Sequence, residues 1–353
     1  MKKLLFTFFA AGMLLTAAYS YNPPAGGENY NSIASPSNLS GANSVTGGAL
    51  FDAGADSIIV NPALTAREQR VNLTAGYTFL YSSEEVKNDK QVGSAFQTGI
   101  LIPFKLYIFS GYINGTFSPF YEMHLGDSLN FKAGLSKEIT DKLSVGLGAG
   151  GGFAWTDWDN DWALYADLGA LYNVGNLGPL SDFRLGASVL NLGKMFTESA
   201  RVGIDHNEKN TPYPTLVTLK AGAAGTILDT DVAKIGLGLD FSVPCFQNFI
   251  VDFNAQIAFK KAFYISIGEK FNLQETIQGS YSFIPSVSFL YKFSFDVKNN
   301  QYLEENGWSQ SEMSVSAGYK NLYSTVHAVS AGVDIDLGMA DNEAPKITVW
   351  DNE

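Results

Sequence analysis

Gly146-Leu147-Gly148-Ala149-Gly150-Gly151 carries the letters of the G-x-G-x-x-G nucleotide fingerprint. That chemistry needs a strand, a tight turn and a helix N-terminus for the pyrophosphate, with an acid for the ribose. Here the glycines lie inside an alternating segment that continues into Phe153-Ala154-Trp155. They read as a glycine-lined strand face, with room for a plug or a kink. Asp157, Asp159 and Asp161 alternate in a turn flanked by Trp155, Trp158 and Trp162. No closing Glu gives them EF-hand spacing, so solvated loop charge is the plain reading. The indoles read as an interfacial girdle, or as a platform for a carbohydrate or hydrophobic ligand. His124, His206 and His327 are scattered and Cys245 is single, which leaves no zinc, Fe–S or disulfide pattern. No G-x-S-x-G, Ser/His/Asp or paired-carboxylate arrangement can be placed, so the expectation is a non-enzyme without cofactor. Four basic residues remain on polar strand faces: Lys132, Arg184, Lys220 and Lys234, with Asp167, Asp240 and Asp252. They either satisfy one another inside a wall or hold the carboxylate of an amphipathic cargo.

The elements that position them alternate with period two. Val71, Leu73, Ala75, Tyr77 and Phe79 oppose Asn72, Thr74, Gly76 and Thr78, and Val251, Phe253 and Ala255 oppose Asp252, Asn254 and Gln256. Such segments are strands with one apolar and one polar face. They run to about 10–13 residues, the length of a membrane-crossing strand. Their polar faces hold Gly, Ser and Asn, as a lumen would. Fourteen are counted, from 71–83 to 325–338, with 142–155 among them. Charged residues are only 16% against 13% aromatics, and the net charge of −12 argues against nucleic acid. Residues 1–20, with Lys2-Lys3, an apolar run and Ala18-Tyr19-Ser20, read as a signal peptide. The expected fold is all-β: a transmembrane antiparallel β-barrel of about 14 strands with an N-terminal hatch. The expected division is 21–36 as an extended lead-in, 37–70 as hatch, 71–338 as barrel and 339–353 as a polar periplasmic tail. Long connections at 82–93, 118–127, 192–214 and 272–284 are expected outside, and short turns at the periplasmic side, with 297–310 a long exception there.

Ser44–Arg67, SVTGGALFDAGADSIIVNPALTAR, is the irregular stretch before the first strand. Short helices are expected around Gly41–Leu50 and Pro62–Glu68, with Asn61 as a cap. Its Asp52-Ala53 step, Asp56 and Asn61-Pro62-Ala63-Leu64 resemble the N-terminal hatch of the FadL family of outer-membrane transporters for long-chain fatty acids and other hydrophobic compounds. The chain is most similar to a spirochaete-type branch of that family, and departs from many outer-membrane barrels in its polar tail. The resemblance implies a plugged fourteen-stranded barrel in the bacterial outer membrane. It implies capture of cargo at external loops and exit through a gap in the wall beside a kinked strand, for which 142–155 is the candidate. It places the gate at Asp52, Asp56, Asn61, Pro62 and Ala63. The partners implied are membrane lipid and a hydrophobic or fatty-acid cargo; nucleic acid is not expected, and the oligomeric state is open, with a monomer the expectation. The alternatives are a docking or adhesion barrel, which predicts a filled lumen, and a simple porin, which predicts an open polar one.

Overall fold

The structure, a computed structural model, describes residues 32–83, 92–104, 106–117, 127–155, 160–194, 217–279, 281–296, 305 and 310–338. The expected signal peptide, residues 21–31 of the lead-in, most of the long loops, Trp158 with Asp157 and Asp159, most of the 297–310 connector and the polar tail lie outside them.

Fourteen strands form one closed antiparallel barrel. They are β1 Val71–Ser82, β2 Val92–Pro103, β3 Ile108–Phe117, β4 Asp127–Glu138, β5 Leu143–Trp155, β6 Asn160–Leu177, β7 Leu180–Lys194, β8 Thr218–Asp229, β9 Ala233–Pro244, β10 Ile250–Phe259, β11 Phe263–Asn272, β12 Ser286–Asp296, β13 Gln310–Leu322 and β14 Val326–Leu337. Each pairs with the next, and β1 closes on β14 from Val71↔Leu337 to Ser82↔Val326. Closure leaves no free edge, which a membrane requires because lipid cannot satisfy backbone groups.

The period-two pattern is realised inside out. Tyr77 is 53% and Leu147 60% exposed on the outer face, whereas Asn72, Thr78, Asn130 and Asn254 are buried inside. Short turns cluster at the end where β1 starts. Lys260 and Lys261 take positive φ between β10 and β11, and Gly178 does so between β6 and β7. Left-handed pairs of this kind match the twist of a tight hairpin. The long connections lie at the other end, called outer below.

Strand β5 is not kinked. Its register is continuous with β4 from Asp127↔Trp155 to Glu138↔Ser144, and with β6 from Leu143↔Tyr172 to Trp155↔Asn160. The expected kink at 142–155 is therefore corrected: these glycines clear space inside the lumen rather than bend the wall. The irregularities lie elsewhere. Register shifts fall between β6 and β7 around Asp167 and Gly175, and between β8 and β9 at Thr226/Leu228. More substantially, β12 pairs with β11 only from Phe263↔Tyr291 to Gly268↔Ser286. Glu269–Asn272 of β11 and Asn321–Leu322 of β13 run past the start of β12, which leaves a notch at the outer end, roughly 13 Å tall on its β11 side.

Candidate functional site: the plug seat and the wall notch

Residues 32–70 run through the lumen. Near the outer end Ile33, Ala34 and Leu39 pack on Leu80, Ala95, Leu322, Tyr323, Val326 and Ala328. The plug thus includes residues ahead of Ser37. Helix α1, Pro36–Leu39, follows, with Pro36 in its first turn and Ser35 Oγ accepting from the Asn38 N–H. Residues 41–50 are turns, and 3-10 turns form at Ala55–Ile59 and Leu64–Arg67. Gly41, Gly47 and Gly48 all have positive φ, which breaks any helix over that span. Toward the inner end Ile58, Val60, Ala63 and Leu64 pack on Tyr112 and Leu171 of the wall.

The Asn-Pro-Ala corner has a shaped seat. Asn61 Nδ2 donates to the carbonyls of Val45 (2.8 Å) and Ala170 (3.1 Å), and Asn61 Oδ1 accepts from the Ala63 N–H at 3.0 Å. The helix expected over Pro62–Glu68 with Asn61 as its cap is corrected: the turn is a 3-10 turn at Leu64–Arg67 with Ala63 at its N-cap and no side-chain cap, and the Asn61 bond to the Ala63 N–H closes the corner ahead of it. Pro62 rests on Gly146 and Gly169, which are direct cross-strand partners on β5 and β6. A Cβ on Gly146 would stand 2.3 Å from the Pro62 carbonyl carbon. A second cross-strand pair, Gly186 and Gly222, receives Val45 in the same way.

Wall side chains then grip the plug's backbone. Asp240 Oδ2 accepts the Val45 N–H at 2.7 Å, Gln256 Oε1 the Leu50 N–H at 2.6 Å, and Asn72 Oδ1 the Ala55 N–H at 2.8 Å. Ser188 Oγ donates to the Val60 carbonyl at 2.7 Å. Arg184 Nη2 donates to the carbonyls of Gly48 (2.8 Å) and Ala49 (3.1 Å). These bonds satisfy buried backbone groups of an irregular segment. All are buried and polar, so the contact resembles a polar interface more than an apolar core.

The remaining residues named from sequence are dispersed. Asp52 is exposed to the lumen and meets Lys292 Nζ at 2.9 Å. Asp56 is buried in the plug, accepting from Ser37 Oγ (3.1 Å) and Ser35 Oγ (3.5 Å). Lys132 lies 2.7 Å from Asp167, which also accepts the Asn191 N–H at 2.6 Å. Arg184 pairs with Asp182. Lys234 sits at the β8–β9 turn, 3.4 Å from Asp229. Lys220 lines the cavity above the plug and has no ion pair or hydrogen bond with a described residue. Sequence reasoning passed over Lys270, Lys292 and Lys320. Lys320 continues the polar face of Ser316 and Gly318, and that period-two register was the signal available.

Burial pushes the Asp56 carboxyl, which lies outside the spanning strands, above its ordinary value, more than the Ser37 hydroxyl lowers it. The seated plug then holds the proton more tightly than a plug released into water. Its contribution to seating is present below the ordinary carboxylate range and is lost as pH rises through the raised value. Asp56→Asn is expected to slow hydrogen exchange at Ala55–Val60 by about threefold to tenfold at neutral pH. An unchanged or faster exchange would contradict this.

The notch between β11 and β13 is closed by residues 281–285, and helix α2, Leu273–Gln278, precedes them in the chain. Pro285 has no N–H and cannot extend the β12 ladder. Side chains substitute for the ladder. Tyr281 Oη donates to Glu269, Ser282 Oγ donates to Asn321 Oδ1 at 2.7 Å, and Ser324 Oγ donates to the Tyr281 carbonyl at 3.1 Å. Burial beside Glu269 raises the Tyr281 phenol, so it stays a donor at neutral pH. Phe283 packs edge-on to Tyr281 at 4.5 Å and is 83% exposed.

Three lumen cavities of about 60, 40 and 70 Å³ surround the plug. For scale, an apolar cavity that takes up benzene measures about 150 Å³. As they stand, these three cavities are too small for a hydrophobic cargo.

No family model and no curated protein matches the chain by sequence. Solved structures match by shape. The deltaS2 mutant of the monoaromatic hydrocarbon channel TodX aligns over 88% of this chain and 99% of its own, with TM-score 0.53 at 12% identity. The Ralstonia pickettii toluene transporter TbuX aligns over 88% and 98%, with TM-score 0.50 at 13% identity. A Pseudomonas aeruginosa FadL homologue aligns over 85% and 96%, with TM-score 0.41 at 8% identity, too low to carry weight. The fold is that of a membrane-spanning barrel of the bacterial outer-membrane type. Within that class its shape is similar to the TodX hydrocarbon channel and the TbuX toluene transporter: a closed fourteen-stranded barrel.

Proposed function

We propose that this protein is an outer-membrane channel for uptake of hydrophobic small molecules, long-chain fatty acids among them, gated by residues 32–70. The observation that carries the reading is the plug's seat. An irregular segment fills the lumen, held by side-chain bonds to its backbone and by glycine pairs shaped to it, so it can leave without breaking the ladder. A filled lumen speaks against a simple porin. The notch between β11 and β13 offers a lateral route, because residues 281–285 close it through side-chain bonds in place of a backbone ladder. A barrel that serves only to dock a partner would also be filled, but it needs no such break in the wall.

Deleting residues 44–64 is expected to abolish gated uptake of a fatty acid into reconstituted liposomes, with the barrel still folding. Uptake unchanged by the deletion would sink the gating role. Retained folding is expected because the fourteen-stranded ladder closes without the plug.

A further inference from the structure

The turn between β10 and β11 sets backbone against side chain. Lys260 and Lys261 are consecutive left-handed residues, with φ of 49° and 55°. A turn with two such central residues favours Asn-Gly or Asp-Gly, because a Cβ crowds the backbone at positive φ. Here the backbone is pinned on both flanks. The Ala262 N–H donates to the Phe259 carbonyl at 3.0 Å and closes the turn. The Lys260 N–H donates to the Val232 carbonyl at 2.9 Å, and the Lys292 N–H of β12 donates to the Ala262 carbonyl at 2.7 Å. The Tyr264 hydroxyl adds a bond to the Lys261 carbonyl at 3.3 Å. Both lysines are exposed on this fixed turn, and their side chains have no ion pair or hydrogen bond among the described residues. At the β13–β14 turn, by contrast, the fold uses its left-handed pair: Tyr323 packs in the outer apolar cluster and Ser324 donates to the Tyr281 carbonyl.

The sign of charge at this turn runs against the rest of the chain, which carries −12. The β8–β9 turn beside it holds Asp229 and Asp231, and Lys234 there lies 3.4 Å from Asp229. The β4–β5 turn mixes Glu138 and Asp141 with Lys142. The β10–β11 turn holds two cations and no acid. Lipid-facing aromatics adjoin it. Phe259 and Phe263 flank the turn, and Phe263 stands opposite Tyr291 and stacks on Phe289 at 6.3 Å, all four exposed on the outer face. Aromatic rings at the end of a membrane strand lie at the membrane–water boundary, which puts the two ammonium groups at headgroup level.

We propose that Lys260 and Lys261 bind the phosphate of an anionic phospholipid in the leaflet at the inner end of the barrel, with its acyl chains along Phe263 and Tyr291. The two ammonium groups supply charge-assisted hydrogen bonds to the phosphate oxygens. The turn is already fixed by its neighbours, so binding orders no backbone. Strained backbone that its surroundings hold in place marks a position kept for its side chains. A free phosphate offers the same oxygens but nothing for the aromatic face, so head and chain together select a lipid. The site is separate from the plug and does not rest on the uptake reading.

The test uses the full barrel in a non-ionic detergent, mixed with equal amounts of dioleoylphosphatidylglycerol and dioleoylphosphatidylcholine, with retained lipid read by native mass spectrometry. The wild type is expected to retain the anionic lipid over the zwitterionic one by about tenfold, as two interfacial lysines imply. Lys260→Asn combined with Lys261→Gly installs residues that the turn prefers, so thermal unfolding is expected at the same temperature or higher while the lipid preference disappears. Lys260→Gln combined with Lys261→Gln is expected to lose the preference too, and Lys260→Arg combined with Lys261→Arg to keep it. Equal retention of the two lipids by the wild type would overturn the site. So would a preference that survives in either uncharged double variant. Displacement of the bound lipid by millimolar inorganic phosphate would overturn the lipid as the occupant, since the chains would then add nothing.

Discussion

Replacing Gly146 with alanine is expected to open the lumen while leaving the barrel at least as stable. The added methyl would lie 2.3 Å from the carbonyl carbon of Pro62, 2.4 Å from its oxygen and 2.5 Å from the Ala63 nitrogen. These are backbone atoms, so no rotamer change relieves the contact, and the Asn-Pro-Ala corner must lift. Overpacking of this kind costs about 1–3 kcal/mol, which moves a two-state seat roughly 5-fold to 150-fold toward release. The strand itself gains, because glycine inside a strand is worse than alanine by roughly 0.5–1 kcal/mol. Planar-bilayer conductance is expected to rise, and hydrogen exchange at residues 58–64 to accelerate, with heat-modifiable mobility of the barrel unchanged. Gly111→Ala is the control, since a Cβ there meets nothing nearer than 3.5 Å. Conductance equal to that of the wild type in Gly146→Ala would mean that the corner does not hold the plug shut.

That glycine also marks the limit of what the chain discloses by itself. Alternation of apolar and polar residues is a local signal, and it located all fourteen strands, because each outward side chain needs lipid and each inward one a lumen. The break at Asn61-Pro62 was equally local, since proline cannot join a ladder. A run such as Gly146-Leu147-Gly148 shows only that side chains are missing. Whether the space serves a bend or a neighbour depends on what the plug places there, and the continuous β5 register decides for the neighbour. The Lys132–Asp167 pair bridges β4 and β6 with β5 between them, so barrel stagger chooses the partner rather than spacing. The notch is legible in part. Gly279 and Pro285 bound a loop, but that β11 and β13 outrun β12 is a matter of register. Lys320 and Lys220 stand 100 residues apart and share a cavity only because the barrel closes.

Arg184→Met tests the plug from the opposite direction, by removing a grip rather than adding a clash. The guanidinium is fully buried, donates to two plug carbonyls and lies over the Phe51 ring at 5.2 Å. Hydrogen bonds from a charged donor are worth about 1.5–3 kcal/mol each, and the two carbonyls cannot find water while the plug is seated. Asp182, the ion-pair partner, is one-third exposed and hydrates when the arginine is lost, so its isolation adds little. A loss of about 3 kcal/mol in seating corresponds to a rise of roughly a hundredfold in the released fraction. Hydrogen exchange at residues 47–51 is expected to accelerate by that order, with slower change at Ala55–Ile59, where Asn72 still holds the Ala55 N–H. Arg184→Lys keeps the charge but not the fork, and is expected to fall between the two. If residues 47–51 and 55–59 exchange faster by the same factor, the plug leaves as one unit. If only the first group responds, it peels from the β7 side, and the Asn61 corner on Gly146 and Gly169 is the last contact to break.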